Sequence, residues 1–286
     1  MPRSAEPAVA ADGPPRPAFI LSTERSGSTL LRWLVDAHPE IASPGEILLA
    51  RLCFDLFITV SRTVVAAPGP DDRIATNRAA VARVRAIVDG IMTEYAHARG
   101  ARVWCDKTPH NLAHLNVLVD TYPDARYVCL YRDGLDVAHS CLEASREGFM
   151  AELVEYVRRS PHDLVGAMLD SWCEKTELLL KMELRHPQLC HRVRYEDLVA
   201  RPETVLPPLF AFLGVAWDPA VLERAFTMEH DGGGGDPLIK DTRRVEADRV
   251  GRGRALDTSK LGLRQRGRVD SLLRNLGYAT LDPPVA

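Results

Sequence analysis

Two stretches of this chain break in the same way, and that break constrains the fold more than any other feature. Residues 17–22, PAFILS, are an almost unbroken apolar run that stops at a polar knot, Thr23-Glu24-Arg25-Ser26-Gly27-Ser28-Thr29. Apolar residues then return at helical spacing: Leu30, Leu31, Trp33, Leu34 and Val35. Residues 125–143, ARYVCLYRDGLDVAHSCLE, repeat the design, with Arg132 at the end of the run and Ser140 in the pattern that follows. Continuous apolar runs, unlike alternating ones, suit strands covered on both faces. Further runs of this kind fall at 102–105 and 190–194. Helical patterns fall at 28–38, 45–62, 74–98, 110–121, 134–146, 163–185, 202–213 and 218–227, and a last one at 263–276 ends at Gly277. Strands separated by helices predict an α/β fold, a central parallel sheet flanked by helices, with ligands gathering at the carboxyl ends of the strands.

The first knot has the chemistry of an anion cradle. Backbone N–H groups around Ser26-Gly27-Ser28 would face the start of a helix, where the dipole favours negative charge. Gly27 allows close backbone approach, Ser26, Ser28 and Thr29 add hydroxyl donors, and Arg25 adds a charged fork. A plain helix cap is the competing reading, although a cap needs one such residue and this loop has three. The nucleotide loop GxxxxGK[ST] does not match: Ser28, not lysine, follows Gly27, and no glycine stands at the upstream position. In the second knot Arg132 and Ser140 lie eight residues apart and can converge on an external anion if the two strands are neighbours. Alternatively Arg132 pairs with Asp133 or Asp136.

The 286 residues suffice for one large domain, or one with a smaller subdomain, and the net charge of −3 provides no global basic field for nucleic acid. The six cysteines are scattered without a CxxC pair, which speaks against a zinc site or a disulfide framework and for a reducing, cytoplasmic setting. No apolar run reaches the length of a membrane span. Residues 1–16 read as a disordered Pro/Ala-rich leader, and 17–286 as a single domain. Breaks fall at AAPGPDD (66–72) and at EHDGGGGDP (229–237). The latter predicts a mobile hinge before a basic, lid-like segment that runs to residue 260.

Together these motifs resemble the sulfotransferases that use 3′-phosphoadenosine-5′-phosphosulfate (PAPS). RSGSTLLRWLVDAHP looks like the arginine-containing loop of protein-tyrosine sulfotransferases and related bacterial enzymes. The resemblance continues through SPGE (43–46), CDKTP (105–109), YRDGLDVAHS (131–140) and VRYEDLVARPETVLPPLFAFLGVAW (193–217), with a weaker echo at GGGGDP and GRG. The organisation is also similar to sulfotransferase domains of polyketide assembly lines, which implies bacterial natural-product chemistry and a small-molecule or carrier-protein-bound hydroxyl as acceptor.

The resemblance implies a phosphosulfate-binding loop made of Arg25, Ser26, Gly27, Ser28, Thr29 and Leu30, with Arg132 and Ser140 on the 3′-phosphate and Tyr195 on adenine. Arg249, Arg252 and Arg254 would close over the nucleotide, with Gly253 also in the binding set; for the three arginines a solvated face is the competing reading. It further implies Glu46 as the base, tuned by apolar Ile47 and Leu48, against the alternative that Glu46 serves a helix N-terminus. Lys107 would stabilise the bridging oxygen, helped by Arg25, unless Asp106 pairs with it. His110 is a rival base. No metal is implied. Phe54, Phe57, Phe149 and Met150 are candidates for an apolar acceptor pocket or for plain core. Two other functions stay open on the residues: a nucleotide-dependent kinase on a related fold, and a non-catalytic module that binds the product PAP.

Overall fold

The computed structural model describes residues 16–63, 73–146, 148–231 and 243–281. The expected leader, apart from Arg16, therefore lies outside the described residues. So do the whole of the 66–72 break, the four-glycine run and the start of the basic segment.

Five strands, β1 (Ala18–Ser22), β2 (Ile41–Ala42), β3 (Val103–Lys107), β4 (Arg126–Tyr131) and β5 (Cys190–Arg194), form one parallel sheet in the order β2-β3-β1-β4-β5. The helices are α1 (Ser28–Asp36), α2 (Leu49–Thr63), α3 (Arg73–Ala98), α4 (Leu115–Thr121), α5 (Gly134–Ala144), α6 (Ala151–Arg159), α7 (Leu164–Arg185), α8 (Tyr195–Ala200), α9 (Pro202–Phe212), α10 (Val221–Thr227) and α11 (Leu263–Asn275).

The period-two alternation of β1 shows why a continuous apolar run was needed. Phe19 and Leu21 enter one core with α2, α3, α4, α5, α7 and α11, while Ala18 and Ile20 enter the opposite core with α1, α8, α9 and α10. Both faces are dry, and every residue of β1 is buried. From β1 the chain builds outward in both directions: β3 and β2 on one side, β4 and β5 on the other. The helix after β1 packs on one face and the helix after β4 on the other. That divergence opens a crevice beyond the carboxyl ends of β1 and β4.

Three elements escaped the sequence reading: two-residue β2, nine-residue α6, of which Leu153 is the buried residue, and α8, which begins without a break from β5. The helix expected from 45 starts only at Leu49, because Leu48 has φ +53°, outside the helical region. The strand expected to end at Cys105 runs on to Lys107. Its buried Asp106 accepts hydrogen bonds from Thr108 Oγ1 (3.0 Å) and Asn111 Nδ2 (2.5 Å), so the strand continues through two charged residues.

Candidate active site

The Ser/Gly knot is built as a cradle. Gly27, at φ +87°, is the N-cap of α1, and no side chain caps that end, so the capping reading of the serines does not hold. Ser26 is turned inward, its Oγ 2.5 Å from Thr23 Oγ1. Arg25 and Leu48 are the non-glycine residues with positive φ among those described, at +60° and +53°. Both line one cavity of about 210 Å³. Backbone strain of this kind, on the order of 1–3 kcal/mol per residue, concentrates at ligand sites.

That cavity collects Arg25, Gly27, Ser28, Thr29, Leu30, Glu46, His110, Arg132, Tyr195 and Arg249, ten of the residues singled out from sequence. The convergence of the two knots follows from β1 and β4 being neighbours. Arg25 Nε donates to Ser140 Oγ (3.2 Å), and Arg132 Nη1 donates to the carbonyl of Arg25 (2.9 Å). Arg132 does not pair with Asp133 or Asp136. Its second amino group donates to the Arg249 carbonyl (2.8 Å), its guanidinium lies 4.4 Å from the centre of the Tyr195 ring, and its buried Nε has no hydrogen-bond partner. A buried arginine with a donor left over, beside an uncapped helix N-terminus, is a donor set that fits a phosphate-bearing ligand. Trp172 Nε1 donates to the Arg132 carbonyl (3.2 Å) and holds this backbone in place.

Lys107 is 1% exposed and does not line the cavity; it stands behind Glu46, which does. Its ammonium donates to Glu46 Oε1, and Asp106 is engaged elsewhere. Burial lowers the Lys107 ammonium below its usual value, with Glu46 opposing. The apolar burial expected around Glu46 is absent, since Ile47 and Leu48 are exposed, and its carboxylate is paired with the buried lysine instead. Nor does Glu46 start a helix: α2 begins three residues later. The loop that presents it is fastened by buried Arg32, which donates to the carbonyls of Ser43 and Pro44 (both 3.1 Å), and by Ser43 Oγ on the Cys105 carbonyl (2.7 Å).

His110 lines the cavity with its Nδ1 3.7 Å from Glu152 Oε1. Of the expected nucleotide contacts, Ser26, Ser140, Arg252, Gly253 and Arg254 do not line the cavity. Arg252 is exposed and donates to Asp248, and Gly253 is buried against α5, where its N–H donates to Asp136 Oδ1 (2.7 Å). A Cβ at residue 253 would meet the Leu135 carbonyl at 2.1–2.2 Å, so the glycine serves this close packing. Of the apolar pocket candidates, Phe54 stacks on His114, Phe57 and Phe149 pack against the core, and Met150 alone lines the cavity. Sequence reasoning missed Glu24, whose two oxygens accept from Lys175 Nζ (2.6 Å each), together with Pro109, Glu152, Glu246 and Asp248. Lys175 sits mid-helix in α7 with no local signal; only packing places it here.

These features make an anion-binding crevice at the switch point of a parallel sheet, and comparison with known proteins identifies the family. A profile of the sulfotransferase family matches residues 17–219, and the chain belongs to that family. It is 27% identical over 75% of its length to protein-tyrosine sulfotransferase 1 of Danio rerio, and 31% identical over 71% of its length to the nodulation protein NoeE of Sinorhizobium fredii. It covers 58% and 50% of those proteins, so it spans about half the length of the curated relatives it matches. Among solved structures, the sulfotransferase domain from the curacin biosynthetic pathway superposes with TM-score 0.67 at 21% identity, covering 93% of this chain and 99% of that domain. The sulfotransferase domain of the Synechococcus PCC 7002 olefin synthase gives TM-score 0.65 at 24% identity, covering 98% and 100%. The fold is thus the sulfotransferase fold. No helix among the described residues is long and apolar enough to cross a membrane.

Proposed function

We propose that this chain transfers a sulfuryl group from PAPS to a hydroxyl of a small-molecule or carrier-bound acceptor. The observation that carries the reading is the meeting of the uncapped Ser/Gly loop, Arg132 with its unpartnered buried Nε, and the Glu46–Lys107 pair around one cavity in a member of the sulfotransferase family. In this reading the loop from Arg25 to Leu30 binds the 5′-phosphosulfate. Arg132 binds the 3′-phosphate, Ser140 orients Arg25, and Tyr195 carries adenine. Arg249 closes the cavity from the basic segment.

Sulfuryl transfer needs positioning and charge stabilisation more than covalent participation by the protein. The acceptor oxygen forms a bond to sulfur as the bond from sulfur to the 5′-phosphate oxygen breaks, and Glu46 takes the acceptor proton. Lys107, buried behind Glu46, acts through that carboxylate by aiming it at the acceptor oxygen, and Arg25 supplies the charge at the bridging oxygen. His110, beside Glu152 on the same wall, would orient the acceptor, with Leu48, Pro109 and Met150 supplying apolar surface. The two solved domains named above come from a biosynthetic pathway and an olefin synthase, and a natural-product hydroxyl is the acceptor class we carry forward on that footing.

Calorimetric titration with PAP and with ADP, on the wild type and Arg132→Ala, tests the nucleotide half. We expect PAP to bind at least about tenfold tighter than ADP, with the preference lost in the variant. Equal affinities would return a kinase-like reading. Acceptors are then screened with Glu46→Gln as the control, which should cut turnover on the order of 10²-fold or more while PAP affinity stays within about threefold.

A further inference from the structure

We propose that the C-terminal return, residues 277–281, is a positioning strap for the nucleotide site, acting through Glu196. The inference rests on the assignment of Arg132 and Tyr195 to the 3′-phosphate and adenine. The return begins where α11 ends. The N–H of Gly277 (φ +75°) donates to the Arg274 carbonyl (3.1 Å) and the N–H of Tyr278 to the Leu273 carbonyl (2.8 Å), a Schellman cap that turns the chain back. The turn brings Tyr278 onto the carboxyl end of β5.

There Glu196 joins three elements. Its Oε1 accepts from the backbone N–H of Asp133 (2.9 Å), and its Oε2 accepts from the Tyr278 hydroxyl (2.8 Å). Asp133 follows Arg132 in sequence and Glu196 follows Tyr195, so one carboxylate ties together the backbones that carry the stacked Arg132–Tyr195 pair. A second bridge runs in parallel. Arg254 pairs with the Asp133 carboxylate and donates to the carbonyls of Ala279 (2.9 Å) and Thr280 (3.0 Å). The Arg194 guanidinium lies 4.4 Å over the Tyr278 ring, and Leu281 N donates to Asp270 Oδ1 (2.8 Å), which anchors the far end to α11. The strap lies beyond the residues matched by the family profile. None of its residues lines the cavity; they act through others.

The test uses the full chain with Tyr278→Phe, Glu196→Ala and Glu196→Gln, each titrated with PAP and ADP and each melted thermally. Tyr278→Phe removes one hydroxyl and keeps the ring under Arg194. We expect PAP affinity to fall about tenfold and ADP affinity to change by less than about twofold, so that the PAP preference drops. Glu196→Ala should do the same or more. Glu196→Gln keeps an acceptor for the Asp133 N–H and an amide for the phenol oxygen, and should retain most of the preference. An unchanged preference in Tyr278→Phe, with Arg132→Ala still abolishing it, overturns the strap. So does an equal loss of both nucleotides that tracks a lowered melting temperature. If Arg132→Ala itself leaves the preference intact, the underlying assignment of the site fails first, and the strap with it. If Glu196→Ala does not fold, Tyr278→Phe decides.

Discussion

At Gly27 two requirements fall on a single residue. The backbone sits at φ +87°, and a Cβ there would stand 2.3 Å from Cδ2 of the Tyr195 ring. The left-handed conformation alone costs an L-residue about 1–2 kcal/mol, and the ring would have to leave its stack on Arg132. Gly27→Ala should therefore lower thermal stability and abolish PAP binding together, measured by melting and by titration; wild-type affinity in the variant would show that the Gly27–Tyr195 contact is not part of the nucleotide site. Residue identity signals such a glycine, since the Ser-Gly-Ser knot asks for close approach. Sequence does not signal its partner, 168 residues away. The same holds for Lys107. Its place after an apolar run suggested a charge at a strand end, but its neighbour Asp106 turned aside to Thr108 and Asn111 and left the lysine to Glu46.

Among elements, α5 does more than carry Ser140. Asp136, in its first turn, accepts from the N–H groups of Gly251 and Gly253, both at 2.7 Å, and so fixes the basic segment on top of β4. With both amides left without their acceptor, Asp136→Ala should loosen that segment at a cost of roughly 1–3 kcal/mol locally. Hydrogen exchange would show faster exchange for residues 249–256 and little change in β1 and β4; uniform exchange throughout would mean the segment is held by other contacts. The YRDGLD motif placed an acidic residue in this first turn without disclosing what it binds. Helix boundaries were legible where local signals bracket the helix, as in α7 between the Asp163 cap and Pro187, and illegible where a left-handed residue delays the start, as at Leu48 before α2.

For the whole molecule, the polar centre under the sheet makes stability depend on pH. Burial pushes the Asp106 carboxyl up from 3.8 to about 6, with Asn111 and Thr108 opposing. The folded state then keeps this proton over a pH range in which the unfolded chain has lost it. Its contribution is fully present below pH 3.8 and is lost as pH rises through about 6. A shift of two pKa units corresponds to about 3 kcal/mol. Urea unfolding at several pH values should thus show a decline between about pH 4 and 6 that is flatter in Asp106→Asn, the difference between the two curves isolating this group from the others that titrate. Parallel curves would place the proton elsewhere.

Sequence by itself determined four of the five strands and where along the chain the candidate site residues fall. Burial on both faces demands continuous apolar runs, and a strand that stops at Ser22 or Tyr131 before a helix has to place Arg25 and Arg132 at a carboxyl end. These are local consequences of periodicity and steric rules, readable within about twenty residues. Tertiary structure decided what those residues meet. The order β3-β1-β4 brought the Arg25 loop against Arg132 and Ser140. Packing delivered Lys175 to Glu24 and sent Gly253 to Asp136 instead of the cavity, and it carried Tyr278 back to Glu196. Contacts between residues a hundred positions apart depend on which faces are buried together, and that choice is made by the whole core at once.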